Sequence, residues 1–214
     1  MNLGMKTAIF DMDGTLIDSM TPWRALNVEF VRRRGIEPTP EEIRAMESLT
    51  GRIAVEYYRE QYGLDTDFET LCAEACEGMK RIYSAGLPLK PGAADYLRRL
   101  RKRGVRCVVC SASPCDLVLT ALNKMDLVRE LDLIYSTEIV GGSKGDPAFY
   151  DRLCALIGEK KEDCVMFEDA LYAMKGARAA GLGVVGITDD TNAGDREEIA
   201  RICDCVIDSY DELA

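Results

Sequence analysis

Two carboxylates, Asp11 and Asp13, stand one residue apart in the stretch IFDMDGTLID, residues 9–18. Side chains at i and i+2 of a strand point the same way, so both acids start on one face. Like charges that close repel, and one of the pair keeps its proton unless a cation lies between them. The stretch therefore asks for a metal, a proton-transfer role, or both. The chain has no histidine, which makes a carboxylate the natural proton carrier. Further on come Ser111, Ala112 and Ser113 in CSAS, Lys144 in GGSKGDP, and Glu168 with Asp169 in FEDA. Three acids suit Mg²⁺, which prefers oxygen ligands and keeps several waters. A hydroxyl, loop N–H groups and a lysine suit the non-bridging oxygens of a phosphate. A carboxylate can attack phosphorus, while its neighbour serves as acid to the leaving oxygen and then as base toward water.

These residues work together only if the fold gathers them. Strands are expected at residues 6–10, 105–110, 131–135, 164–167, 182–187 and 205–207, where apolar runs are bounded by turn residues. Helices are expected at 91–103, 114–124, 147–157, 170–180 and 197–202. Alternation of this kind predicts an α/β fold with a parallel sheet covered on both faces. Four more helices are expected in succession, at 21–34 (Thr21 as N-cap, Pro22 first), 40–49, 51–62 and 67–84. That block, residues 17–86, reads as a helical cap inserted into a core made of residues 1–16 and 87–214. Ligands of open α/β sheets bind beyond the carboxyl ends of the strands. The polar residues named above follow four of the expected strands, so all converge on one rim.

Plain structural readings stand beside the chemical ones. Asp13 can shape a turn, Ser111 can cap the helix near Pro114, and Lys144 can be a solvated loop lysine. Glu168 and Asp169 can complement the dipole of the next helix. Asp18, Ser19 and residues 189–192 read as hinge or rim.

The ordered set DMDGTL, CSAS, SKGDP and FEDA resembles the four motifs of the haloacid dehalogenase superfamily, across residues 6–187. The resemblance implies a Rossmann-like core with a helical cap, Asp11 as nucleophile and Asp13 as acid/base. It further implies that Ser111, Ala112 and Lys144 bind the transferring phosphate. Mg²⁺ would be held by Asp11, Glu168, Asp169 and the backbone carbonyl of Asp13. Dehalogenases of this superfamily lack the second aspartate, and its phosphonatases use a cap lysine, for which only Lys80 is present in the block. β-Phosphoglucomutases resemble the chain throughout but carry a histidine twelve residues after the nucleophile, where this sequence has Trp23. Hydrolysis of a small phosphate monoester is the expected reaction, as in the phosphoglycolate phosphatase-like branch. A β-phosphoglucomutase-like activity is one alternative, and a catalytically silent phosphometabolite-binding module is another. Trp23 and Arg52, in the cap, are candidates for substrate selection, Arg52 toward a second anionic group.

Composition limits the partners. With 214 residues, 47% hydrophobic and 30% charged, the chain has the balance of a globular protein. A net charge of −10 argues against nucleic acid, whose phosphates need a basic surface. No apolar run approaches the roughly 20 residues of a membrane span, and residues 1–7 lack the layout of a secretion signal. Nine cysteines follow no disulfide or zinc-binding framework and suit a reducing cytoplasm.

Overall fold

A computed structural model describes residues 4–46, 49 and 51–213. Chain order is β1 (Thr7–Phe10), α1 (Met20–Arg32), α2 (Pro40–Met46), α3 (Gly51–Tyr62), α4 (Phe68–Ala85), α5 (Ala93–Lys102), β2 (Arg106–Ser111) and α6 (Cys115–Lys124). It continues through β3 (Leu133–Ser136), α7 (Thr137–Val140), α8 (Pro147–Ile157), β4 (Cys164–Glu168), α9 (Leu171–Ala180), β5 (Gly183–Ile187), α10 (Arg196–Ile202) and β6 (Cys205–Ile207). All six strands pair in parallel in the order β3-β2-β1-β4-β5-β6. The α/β expectation holds, and the strand order reverses between β1 and β4.

Successive strand residues face opposite layers. Phe10, Val109 and Phe167 enter one buried cluster, with Leu97 and Leu122 from the helices above. Ile9, Val108 and Met166 enter the other, with Leu153 and Ala177. Burial on both faces explains why these strands read as continuous apolar runs. Cys107 and Cys110, three apart, fall in opposite clusters as that geometry requires.

Helices α1 to α4 share a third cluster built on Phe30, Val31, Met46, Val55, Tyr58 and Leu71. Met20, Trp23 and Leu26 of α1, with Met79 and Tyr83 of α4, pack instead into the cluster over the sheet. The two connections to this block run side by side: Asp18 N–H donates to the Pro88 carbonyl and Lys90 N–H to that of Leu16, both at 2.9 Å. The Lys90 ammonium reaches Asp189, in the loop after β5, at 2.6 Å.

Several boundaries differ from the sequence expectation for physical reasons. Helix α1 starts at Met20, so Thr21 is not its N-cap; Ser19 holds that place without a side-chain cap bond, because its hydroxyl donates to Asp13 instead. Helix α5 begins at Ala93, since Gly92 sits at a φ of 75° and turns the chain first. Strand β3 begins late because residues 128–130 take a 3₁₀ turn. The short helix α7 was not anticipated. The expected helix at 40–49 is observed to Met46, and its residues 47–48, like residues 1–3 of the N-terminal reading, lie outside the described residues.

Candidate active site

Asp11 leaves the end of β1 with its N–H bonded to the Phe167 carbonyl of β4 at 2.9 Å. That bond sets it beside Glu168, the last residue of β4, and Asp169, which follows. All three are buried at the point where the strand order reverses, the usual place for a ligand in such sheets. The loop after α7 brings in Lys144, only 2% exposed. Its ammonium donates to Asp11 Oδ1 and, at 3.0 Å, to Glu168 Oε2.

Two glycines permit this crowding. Gly14 has a φ of 75°, and a Cβ there would stand 2.2 Å from Asp169 Oδ2. A Cβ on Gly176 of α9 would stand 2.0 Å from the Lys144 carbonyl oxygen. Asp169 is fixed from both sides. Thr15 Oγ1 donates to its Oδ1 at 3.1 Å, and Asn192 Nδ2 donates to its carbonyl at 2.9 Å. Glu168 Oε1 accepts from the N–H groups of Asp169 (3.2 Å) and Ala170 (3.1 Å), so it also serves the chain entering α9.

Ionised together, three buried carboxylates against one ammonium would carry an excess of two negative charges. Burial pushes the Asp11 carboxyl well above the usual carboxylate range, against the pull of Lys144. Burial, then the Glu168 and Asp11 charges, do the same to Asp169. For Lys144 burial works downward, but Asp11 and Glu168 outweigh it and hold the ammonium well above its ordinary value. A divalent cation is the group that would balance this set. Asp11, Glu168 and Asp169 each offer an oxygen, all within 4.8 Å of one another, close to the roughly 3–4 Å separations around an Mg²⁺ with ligands at about 2.1 Å. The donor set, all oxygen and all buried, fits that ion.

Asp13 stands apart from the trio. Its Oδ1 accepts from Ser19 Oγ and from Tyr83 OH, each at 2.6 Å, and its Oδ2 from Ser113 Oγ at 3.0 Å. Burial, then the nearby Asp13, pushes the Tyr83 phenol well above its ordinary value, so it remains a donor. Ser111 does not cap α6, whose N-cap is Pro114 without a side-chain bond. Its Oγ instead accepts from Ser113 N–H at 3.1 Å, shaping the loop after β2.

The candidate site residues all line one cleft of about 340 Å³: Asp11, Asp13, Ser111, Ala112, Lys144, Glu168 and Asp169 from the sheet side, Trp23 and Arg52 from the helices. Trp23 is buried, and its indole N–H makes no hydrogen bond of normal geometry, although it lies beside the Tyr83 hydroxyl. The Arg52 guanidinium is engaged: it donates to both Glu69 oxygens at 3.0 and 2.8 Å and stacks 4.5 Å above the Phe68 ring. Sequence reasoning missed Tyr83 and gave Thr15 and Asn192 no part in the site, Asn192 being read only as hinge or rim. Only Thr15, inside the first motif, carried a local signal.

A family model for haloacid dehalogenase-like hydrolases matches residues 5–181. Validoxylamine A 7'-phosphate phosphatase of Streptomyces hygroscopicus subsp. limoneus is 30% identical over 88% of this chain and 88% of its own. Hexitol phosphatase A of Escherichia coli is 25% identical, over 97% and 93% of the two chains. Among solved structures, CbbY from Rhodobacter sphaeroides in complex with phosphate superposes with a TM-score of 0.85 at 22% identity, over 98% and 96%, a likeness of fold.

Proposed function

The chain belongs to the haloacid dehalogenase-like hydrolases, and on that footing we propose that it hydrolyses a small phosphate monoester, with Mg²⁺, through a phosphorylated Asp11. The observation that carries this reading is the buried set of Asp11, Glu168 and Asp169 sharing a single ammonium, Lys144, at the strand ends. Relatives named as phosphatases support a monoester as the substrate class. Lys144 fixes Asp11 Oδ1, and no described protein group bonds Oδ2, which is free to attack phosphorus. As the O–P bond to Asp11 forms, the bond to the leaving oxygen breaks and Asp13 gives that oxygen its proton. Water then attacks the phosphoaspartate, Asp13 takes the proton back, and the bond between phosphorus and Asp11 breaks. Ser111, Ala112 and Lys144 bind the transferring oxygens. A bound Mg²⁺, on Asp11, Glu168, Asp169 and the Asp13 carbonyl, would neutralise charge developing on the phosphoryl group.

Residues 17–86 act in this reading as a cap over a core of residues 1–16 and 87–214; their own apolar cluster and paired connections support it. Water is the acceptor in this reading rather than a second sugar hydroxyl, since position 23 holds an indole, whose N–H does not titrate near neutral pH and cannot serve as an acid or base. A silent binding module would need neither a nucleophile nor the acid beside it. Phosphate release from p-nitrophenyl phosphate, with Mg²⁺ and with excess chelator, tests the proposal: turnover in the first and its loss in the second are expected. Undiminished turnover in chelator contradicts the metal requirement, and failure to hydrolyse any monoester contradicts the reaction.

A further inference from the structure

The phosphate end of the cleft is crowded with charge, whereas most of the wall formed by the helices is apolar. That wall includes Ile53 and Val55 of α3, Cys72, Ala75 and Cys76 of α4, and Leu117 of α6, with Arg52 and Glu138 at its rim. Both thiols are pushed up, by burial first, so they stay neutral and act as small apolar groups. Ile53 is 61% exposed and Tyr172, across the cleft, 46%; they are two of the five exposed large hydrophobic residues among those described. Exposed apolar side chains facing a cleft are surface that a ligand can cover. Among the described residues, the only cations bordering the cleft are Arg52 and Lys144. Lys144 belongs to the carboxylates. Arg52 is paired with Glu69 and lies in the field of Glu138, a further acid on the rim. A second anion on the substrate would therefore meet two carboxylates for one shared guanidinium.

We infer that the leaving group of the substrate is uncharged and lays an apolar face against α3 and α4. The inference rests on the monoester reading for its phosphate end and adds the chemistry of the other end. A volume of about 340 Å³, at the low end of ligand cavities, sets the substrate as small.

Calorimetric binding of n-alkylphosphonates, from methyl to butyl, to the Mg²⁺-loaded protein tests this without turnover. Each added methylene that enters the cleft should tighten binding about fourfold. A carboxylate-terminated phosphonate of equal length should bind more weakly than its alkyl counterpart. Ile53→Asn, at a mostly exposed side chain, should flatten the alkyl series. A flat series in the unaltered protein, or tighter binding of the carboxylate-terminated probe, would overturn the inference. Phosphonates that bind in the expected order while alkyl phosphates release no phosphate would leave the inference standing and overturn the hydrolase reading instead.

Discussion

The residue with the most telling surroundings is Asp13, whose two oxygens accept from Ser19, Tyr83 and Ser113. These donors come from the start of α1, the end of α4 and the loop after β2, so three distant segments hold one carboxylate. Tyr83 is fully buried, and removing its hydroxyl leaves the packing of the ring unchanged. Hydrogen bonds to charged groups are worth about 1.5–3 kcal/mol, so Tyr83→Phe should misplace Asp13 appreciably. Turnover of an alkyl phosphate, which needs a proton to depart, should fall about tenfold or more, and that of p-nitrophenyl phosphate much less. Measuring kcat on both esters checks this; equal losses would make Tyr83 a packing residue. Arg52 is the contrasting case. Its pair with Glu69 is exposed on both sides, and such pairs contribute roughly 0–1 kcal/mol. Arg52→Ala should accordingly shift the thermal midpoint very little.

Among the elements, α9 and the loop it supports carry the sharpest constraint. The helix passes so close to the Lys144 carbonyl that Gly176 has no space for a Cβ. Gly176→Ala should displace that loop, costing about 1–3 kcal/mol of stability as other overpacked sites do. It should also weaken competitive inhibition by inorganic phosphate, because Lys144 moves with the loop. A thermal midpoint and a phosphate inhibition constant both unchanged would contradict this. The elements also show what was legible in the sequence. Strands buried on both faces, each followed by a polar group, announced the sheet and the sheet-side rim, because that signal is local. Tyr83 and Asn192 were not legible: one sits among the apolar positions of a helix, the other in a turn. Their roles depend on partners 70 and 23 residues away. The engagement of Arg52 was hidden for the same reason, since it joins α3 to α4. The Thr21-Pro22 pair misled the reading of α1, whose N-cap place falls to Ser19, a residue whose hydroxyl is committed to Asp13.

At the scale of the whole molecule, the sheet and helices α1 and α4 pack together beside a buried acidic centre that would need a cation to be fully ionised. Asp11 and Asp169 hold their protons well above the ordinary range. Between the ordinary carboxylate value of about 3.9 and those raised values, the folded protein therefore binds more protons than the unfolded chain. Stability from this source is present at low pH and is lost as pH rises through that window. On the proposed reading Mg²⁺ takes the deprotonated acids as ligands, so the gain in thermal midpoint on adding it should be larger at about pH 8 than at about pH 5. Scanning calorimetry with and without Mg²⁺ checks this, and a gain that shrinks as pH rises would contradict it. The central claim is that Asp11 carries the phosphoryl group, and Asp13→Asn isolates that step. With p-nitrophenyl phosphate, whose leaving group departs unaided, the variant should still phosphorylate Asp11 and then stall, because no base remains to activate water. Mass spectrometry of the quenched Asp13→Asn protein should find one phosphate, mapped by peptide analysis to Asp11; a phosphate on Ser111 or any other side chain would contradict the mechanism.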